Sequence, residues 1–132
     1  MCIVEGDSMY LIKKAVFLIV SGFFLVLSGL ASAHHGWSWY TGSDFSLEGI
    51  VVEKHFGAPH DRLTIEAGGQ QWNVVLSTPF RSRRAGFGQD EIEVGETVTA
   101  YGHRHAEATN FEMKTERLKV GDQLYNLYPN RN

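Results

Sequence analysis

Six histidines are the residues of this chain best suited to chemistry, and all lie in its second part: His34, His35, His55, His60, His103 and His105. His34 and His35 directly follow Ala31-Ser32-Ala33, a small-x-small triplet that closes an apolar run. Such a triplet is a signal-peptidase site. Cleavage after Ala33 frees an α-amine on His34. That amine and the His34 imidazole can chelate one ion, and one further imidazole completes a three-nitrogen site. Planar nitrogen donors suit Cu(II), which also heads the divalent affinity order. His35 offers a second chelate through the amine, the intervening amide and its own ring. The alternative is a frayed terminus whose histidines merely follow a cleavage site.

His103 and His105 are spaced i and i+2. On a strand they share a face, so both imidazoles can reach one ion. Alone, the pair also reads as a solvated strand end. His55 and His60 flank Gly57-Ala58-Pro59, a turn that brings both rings to one side, with Pro59 stiffening the approach of His60. The predicted metal ligands are therefore His34, His35, His60, His103 and His105, and the predicted ion is copper.

The segment before His34 has the parts of a secretory signal. Lys13 and Lys14 form a basic start, and Ala15 to Leu30 is apolar apart from Ser21, Gly22, Ser28 and Gly29. A spanning helix usually wants about 20 predominantly apolar residues, so a cleaved signal over residues 1–33 is the expectation. Met9 precedes the basic pair, which makes residues 1–8 a candidate misplaced start. Cys2 is the single cysteine, so no lipoprotein cysteine follows the apolar run and no disulfide is available to the exported part. Lys13 and Lys14 cancel Glu5 and Asp7, so the net charge of −3 belongs to the remainder. Mild acidity argues against a nucleic-acid partner. The expected location is the periplasm or beyond, with membrane contact only through the signal before cleavage. The expected partner is a metal-delivery or envelope protein.

The elements that must position the histidines follow from the pattern. Residues 34–43 form an aromatic arm with Trp37, Trp39 and Tyr40. Phe45 to Phe56 reads as a long first strand, and Gly49 suggests a bulge or sharp bend in it. Leu63, Ile65 and Ala67 alternate with polar residues, Gly68-Gly69 signals a hairpin, and Trp72, Val74 and Leu76 return. Thr78-Pro79 starts a short helix to about Ala85, closed by Gly86. Val98 to His105 and Phe111 to Val120 read as two more strands, with Leu124 to Tyr128 pairing back. The predicted fold is all-β with one short helix: a small five-stranded OB-like barrel over residues 44–132, with a small β-sandwich as the alternative. Trp37, Trp39, Tyr40 and Tyr101 suit arm packing or a ligand groove. Arg81, Arg83 and Arg84 on the helix suit a solvated face or an anion patch.

Several stretches carry a resemblance: Ala33-His34-His35, Leu47-Glu48-Gly49-Ile50-Val51, Ala58-Pro59-His60 and Gly95-Glu96-Thr97-Val98. They resemble a family of small exported bacterial proteins known mainly as a domain of unknown function. Its members begin the mature chain His-His after an Ala-x-Ala site, have a Gly-x-Val first strand and place Asn-Pro-His before strand two. Here Ala58 replaces that asparagine, and Gly36-Trp37 stands where Ser-Phe is common. The resemblance implies an exported OB-like domain and no established activity. Function then rests on the residues: a copper-binding protein for storage, delivery or tolerance, with a metal-independent envelope or small-ligand module as the alternative. A copper-dependent oxidative enzyme is a third reading, for which only Trp37, Trp39 and Tyr40 suggest a substrate surface.

Overall fold

Alternating apolar and polar side chains set six stretches of the chain into strands. In the computed structural model these are β1 (Phe45–His55), β2 (Arg62–Ala67), β3 (Gln70–Val75), β4 (Thr97–Arg104), β5 (Glu112–Val120) and β6 (Gln123–Asn126). A helix, α1 (Pro79–Arg84), and a short 3-10 turn at Gln89–Glu91 join β3 to β4. The structure describes residues 12–14 and 36–131. It divides into two units, Met1–Gly36 and Trp37–Asn132. Of the first, residues 12–14 are helical and exposed. The apolar stretch, the cleavage triplet, His34 and His35 lie outside the described residues. Among the described residues no helix is long and apolar enough to cross a membrane.

The strand order of the second unit is β3-β2-β1-β4-β5-β6, and β3 also pairs with β5. That extra pairing is parallel, through Asn73 with Glu112, Val74 with Met113 and Val75 with Lys114. It closes five strands into a barrel of the OB type, with α1 between β3 and β4, and removes the sandwich alternative. β6 lies outside the ring, antiparallel to the second half of β5. β1 serves two neighbours: Phe45 to Ile50 pairs with β4, and Ile50 to His55 with β2.

Two glycines make this closure possible by their lack of a side chain. A Cβ at Gly49 would overlap the Glu66 carbonyl and lie 2.7 Å from Ile65 Cγ2. A Cβ at Gly102 would overlap the Lys114 carbonyl. The bulge expected at Gly49 sits further along β1, between Val51 and Glu53. Gly49 is the point of close approach instead. Gly68 and Gly69 turn the β2–β3 hairpin at φ 60° and 77°, as a two-residue turn with both residues at positive φ requires. Thr78 precedes α1 in extended conformation but makes no side-chain cap bond. The missing N–H of Pro79 already spares one donor there.

The core is apolar and continuous, from Leu47 and Val51 on β1 to Met113 and Leu118 on β5. Phe87, just after α1, is fully buried and meets the rings of Phe56 at 5.8 Å and Tyr125 at 5.0 Å. The segment after the helix thereby seals one end of the barrel. At the end of β4, beside the start of β5, the Arg104 guanidinium lies 4.8 Å from the Trp72 ring centre.

Candidate functional site

Period-two geometry sorts β5 into an inner and an outer set. Met113 and Thr115 are fully buried in the barrel, so Glu112, Lys114 and Glu116 face outward. Directly opposite residues in neighbouring strands share a face. Arg62 pairs with Val75, Val75 with Lys114, and Lys114 with His103. One row therefore crosses β2, β3, β5 and β4. An outward row is normally wet, yet Lys114 is only 2% exposed and Glu116 only 7%.

The cover comes from both ends of this unit. The Trp37 ring stands edge-on to His103 at 5.8 Å and to Tyr128 at 5.1 Å. The Arg131 guanidinium lies 4.0 Å from the Trp37 ring centre. Tyr40 pairs with His105 in an isolated bridge, and Thr41 N–H donates to the Arg104 carbonyl at 2.8 Å. The tail is held where Leu127 and Tyr128 donate their N–H groups to the Glu116 carbonyl. The aromatic arm is therefore an ordered lid over strand β5 from Trp37 onward.

Beneath it the polar groups are partnered unevenly. Glu112 accepts from Tyr40 Oη and Asn73 Nδ2, each at 2.6 Å. Burial, and next the bond to Glu112, push the Tyr40 hydroxyl above its ordinary range. Burial also pushes Tyr128 up, against the pull of Arg81 and Arg131. Glu116 Oε1 accepts from His103 Nε2 and Arg131 Nε, both at 3.1 Å. The Lys114 ammonium has neither a hydrogen bond nor an ion pair among the described residues. Its Nζ lies 5.8 Å from the Trp37 ring centre and 5.9 Å from that of Tyr128. Burial brings its ammonium down to about 8, with Glu112 opposing.

The predicted ligands fare differently. His60 follows the cis Ala58–Pro59 peptide and precedes the Arg62 end of the row. Its ring makes no hydrogen bond among the described residues. Burial, then the charges of Lys114 and Arg62, hold it below the usual imidazole range, with Asp61 opposing. His60 is thus a neutral nitrogen donor near neutral pH. His103 is already committed: Nδ1 lies 3.1 Å from the Ser43 carbonyl and Nε2 3.1 Å from Glu116. Both partners accept, so only the doubly protonated ring satisfies both at once. His105 Nδ1 accepts the Glu107 N–H at 3.1 Å, and its ring meets Tyr40 at 5.7 Å. A metal at His103 or His105 would take the place of these bonds. His55 stands opposite Arg62, at the β1 end of the same row, in a depression of about 180 Å³ with Glu53, Arg62 and Asn73. Among the described residues no three His, Cys, Asp or Glu side chains are gathered as a ready metal site.

Sequence reading passed over Lys114, Glu112, Glu116, Tyr128 and Arg131. One signal was present: Glu112, Lys114 and Glu116 alternate along a strand beside the strand of His103 and His105.

Residues 23–114 match the model of a family of unknown function, DUF6152. The chain belongs to that family. The match bears out the resemblance to a domain without established activity, and it begins within the apolar stretch. No curated protein matches the chain. Among solved structures, a chain of the S. pombe Stn1-ten1 complex is similar at 16% identity and a TM-score of 0.47. The likeness covers 58% of this chain and 57% of that one, so this chain spans little more than half the length of that protein.

Proposed function

We propose that this is an exported copper-binding protein, serving storage, delivery or tolerance, with copper as its cargo. In this reading the signal segment is removed after Ala33, and the freed amine and imidazole of His34 chelate the ion. His35 and His60 supply further nitrogens. His103 and His105 join only by giving up their present hydrogen bonds, and a metal-delivery or envelope protein is the partner. The observation that carries the reading is His60: an imidazole without a hydrogen bond among the described residues, held below its usual range by burial and neighbouring cations. Copper ligation needs that deprotonated form. The nearby Lys114 is the cation that most readily loses its proton, which lessens its repulsion of an incoming metal.

The test is Cu(II) titration followed by EPR. Three proteins are compared: the chain beginning at His34, the same chain with one alanine added in front, and His60→Ala. A one-to-one nitrogen-ligated signal, lost on extension and weakened by His60→Ala, supports the site. Equal weak binding by all three overturns it.

A second reading, a metal-independent envelope or ligand-binding module, draws on Trp39. That indole is 66% exposed, beside the half-buried Trp37. Trp39→Ala should abolish partner binding in that reading and leave copper binding intact.

A further inference from the structure

We propose that the groove between α1 and the C-terminal segment binds a small planar organic anion. Its acid group would be held by Arg81 and Arg84, with its apolar body against Phe80. The site is independent of the copper reading.

The groove has a volume of about 550 Å³, within the range of small-molecule sites. Thr78, Phe80, Arg81 and Arg84 line one wall, and Asn126 and Asn130 belong to the other. No acidic side chain is among its lining residues. The guanidinium groups of Arg81 and Arg84 form neither an ion pair nor a hydrogen bond among the described residues. Surface arginines are usually balanced by a carboxylate or left in open solvent. Here two unpaired ones line the same groove.

Arg81 is also positioned in advance. Its guanidinium lies 4.7 Å from the Tyr128 ring centre, and Tyr128 is itself held under Trp37. A stacked guanidinium keeps its N–H edge free for a carboxylate or similar acid. The Asn126 and Asn130 amides can complete the acid's hydrogen bonds. Phe80 is 68% exposed on a helix whose neighbouring Ser82 is buried, so its ring is a free apolar wall. Cationic, amide and aromatic surfaces around one small volume call for a flat ligand with an acid at one end.

The probe is naphthoate, titrated into isotope-labelled protein and followed by NMR, with neutral naphthamide as its isostere. Arg84→Gln is the informative variant, because Arg84 makes no ring contact among the described residues, whereas Arg81 also supports Tyr128. Saturating shifts at the Asn126 and Asn130 amides are expected, with naphthamide binding about tenfold or more weakly. Arg84→Gln should weaken naphthoate by a similar factor at an unchanged thermal midpoint. Equal binding of naphthamide, unaltered affinity in Arg84→Gln, or shifts centred on another face would each overturn the site.

Discussion

His103 and Glu116 meet at 3.1 Å across the β4–β5 ladder, although the register sets His103 opposite Lys114. The diagonal contact gives the imidazole its acceptor and leaves the ammonium beside it with none among the described residues. Glu116 also holds Arg131 at 3.1 Å, while His103 reaches back to Ser43. One carboxylate therefore ties together the segment before β1, strand β4 and the tail.

Glu116→Gln preserves shape and removes that charge. Both charge-assisted bonds weaken, and a loss of about 1–3 kcal/mol is expected in chemical denaturation. Trp37 should become more accessible to a fluorescence quencher. A variant within about 0.5 kcal/mol of the parent, with Trp37 still shielded, would show that backbone bonds alone hold the lid.

Lys114 makes stability depend on pH in an unusual direction. Its ammonium titrates near 8 in the fold and near 10.4 in the unfolded chain. Between these values the unfolded state binds more protons, so stability rises with pH. The gain begins near pH 8 and is of order 1–3 kcal/mol. Above about pH 10 it is opposed, because Tyr40 and Tyr128 hold their protons longer in the fold than in the unfolded chain. Lys114→Met should be more stable than the parent at pH 7 and should lose the rise. A parent whose thermal midpoint is flat from pH 8 to 10 would contradict this account.

Gly49 and Gly102 are predicted to reject even alanine. At both, the added methyl meets a backbone carbonyl, which cannot swing aside as a side chain can. Each substitution should cost about 2 kcal/mol or more, or prevent folding outright. Gly42→Ala is the control, since nothing lies within 4 Å of a Cβ there. Denaturation midpoints of the three variants decide the matter.

Phe87→Ala opens a cavity between Phe56 and Tyr125 and should cost about 3–5 kcal/mol. Phe80→Ala, on the exposed side of the same region, should change stability by less than about 0.5 kcal/mol. Similar losses from both would mean that Phe87 does not seal the barrel.

For the copper reading, His60 stays neutral at lower pH than an ordinary imidazole. Metal loss on acidification, expected below about pH 6, should therefore follow the His34 amine and imidazole before His60. His60→Ala should weaken copper at pH 7.5 without changing the thermal midpoint, because its ring holds no hydrogen bond among the described residues. His103→Ala should lower that midpoint, because its ring holds two. The two substitutions thereby separate ligation from support.

By itself the sequence determined the local structure of the barrel. Alternation in Leu63 to Ala67 and in Gln71 to Val74 sets strands with one face turned inward. Gly68-Gly69 can turn only a tight hairpin between them, and Thr78-Pro79 can only start a helix. These choices depend on neighbours a few residues away, so periodicity and turn chemistry decide them. The tertiary structure alone decided which outward residues are covered. Lys114 and Glu116 alternate like any solvated strand face, and their burial depends on Trp37 and Tyr128, far off at either side in the chain. It also decided that His103 spends both nitrogens on Ser43 and Glu116 while His60 spends none among the described residues. A histidine's availability depends on which acceptors arrive beside it, and that follows from register and closure rather than from spacing. Gly49 shows the same division. Its presence in a strand is legible, but the carbonyl of Glu66 that excludes a side chain arrives only when β2 folds back on β1.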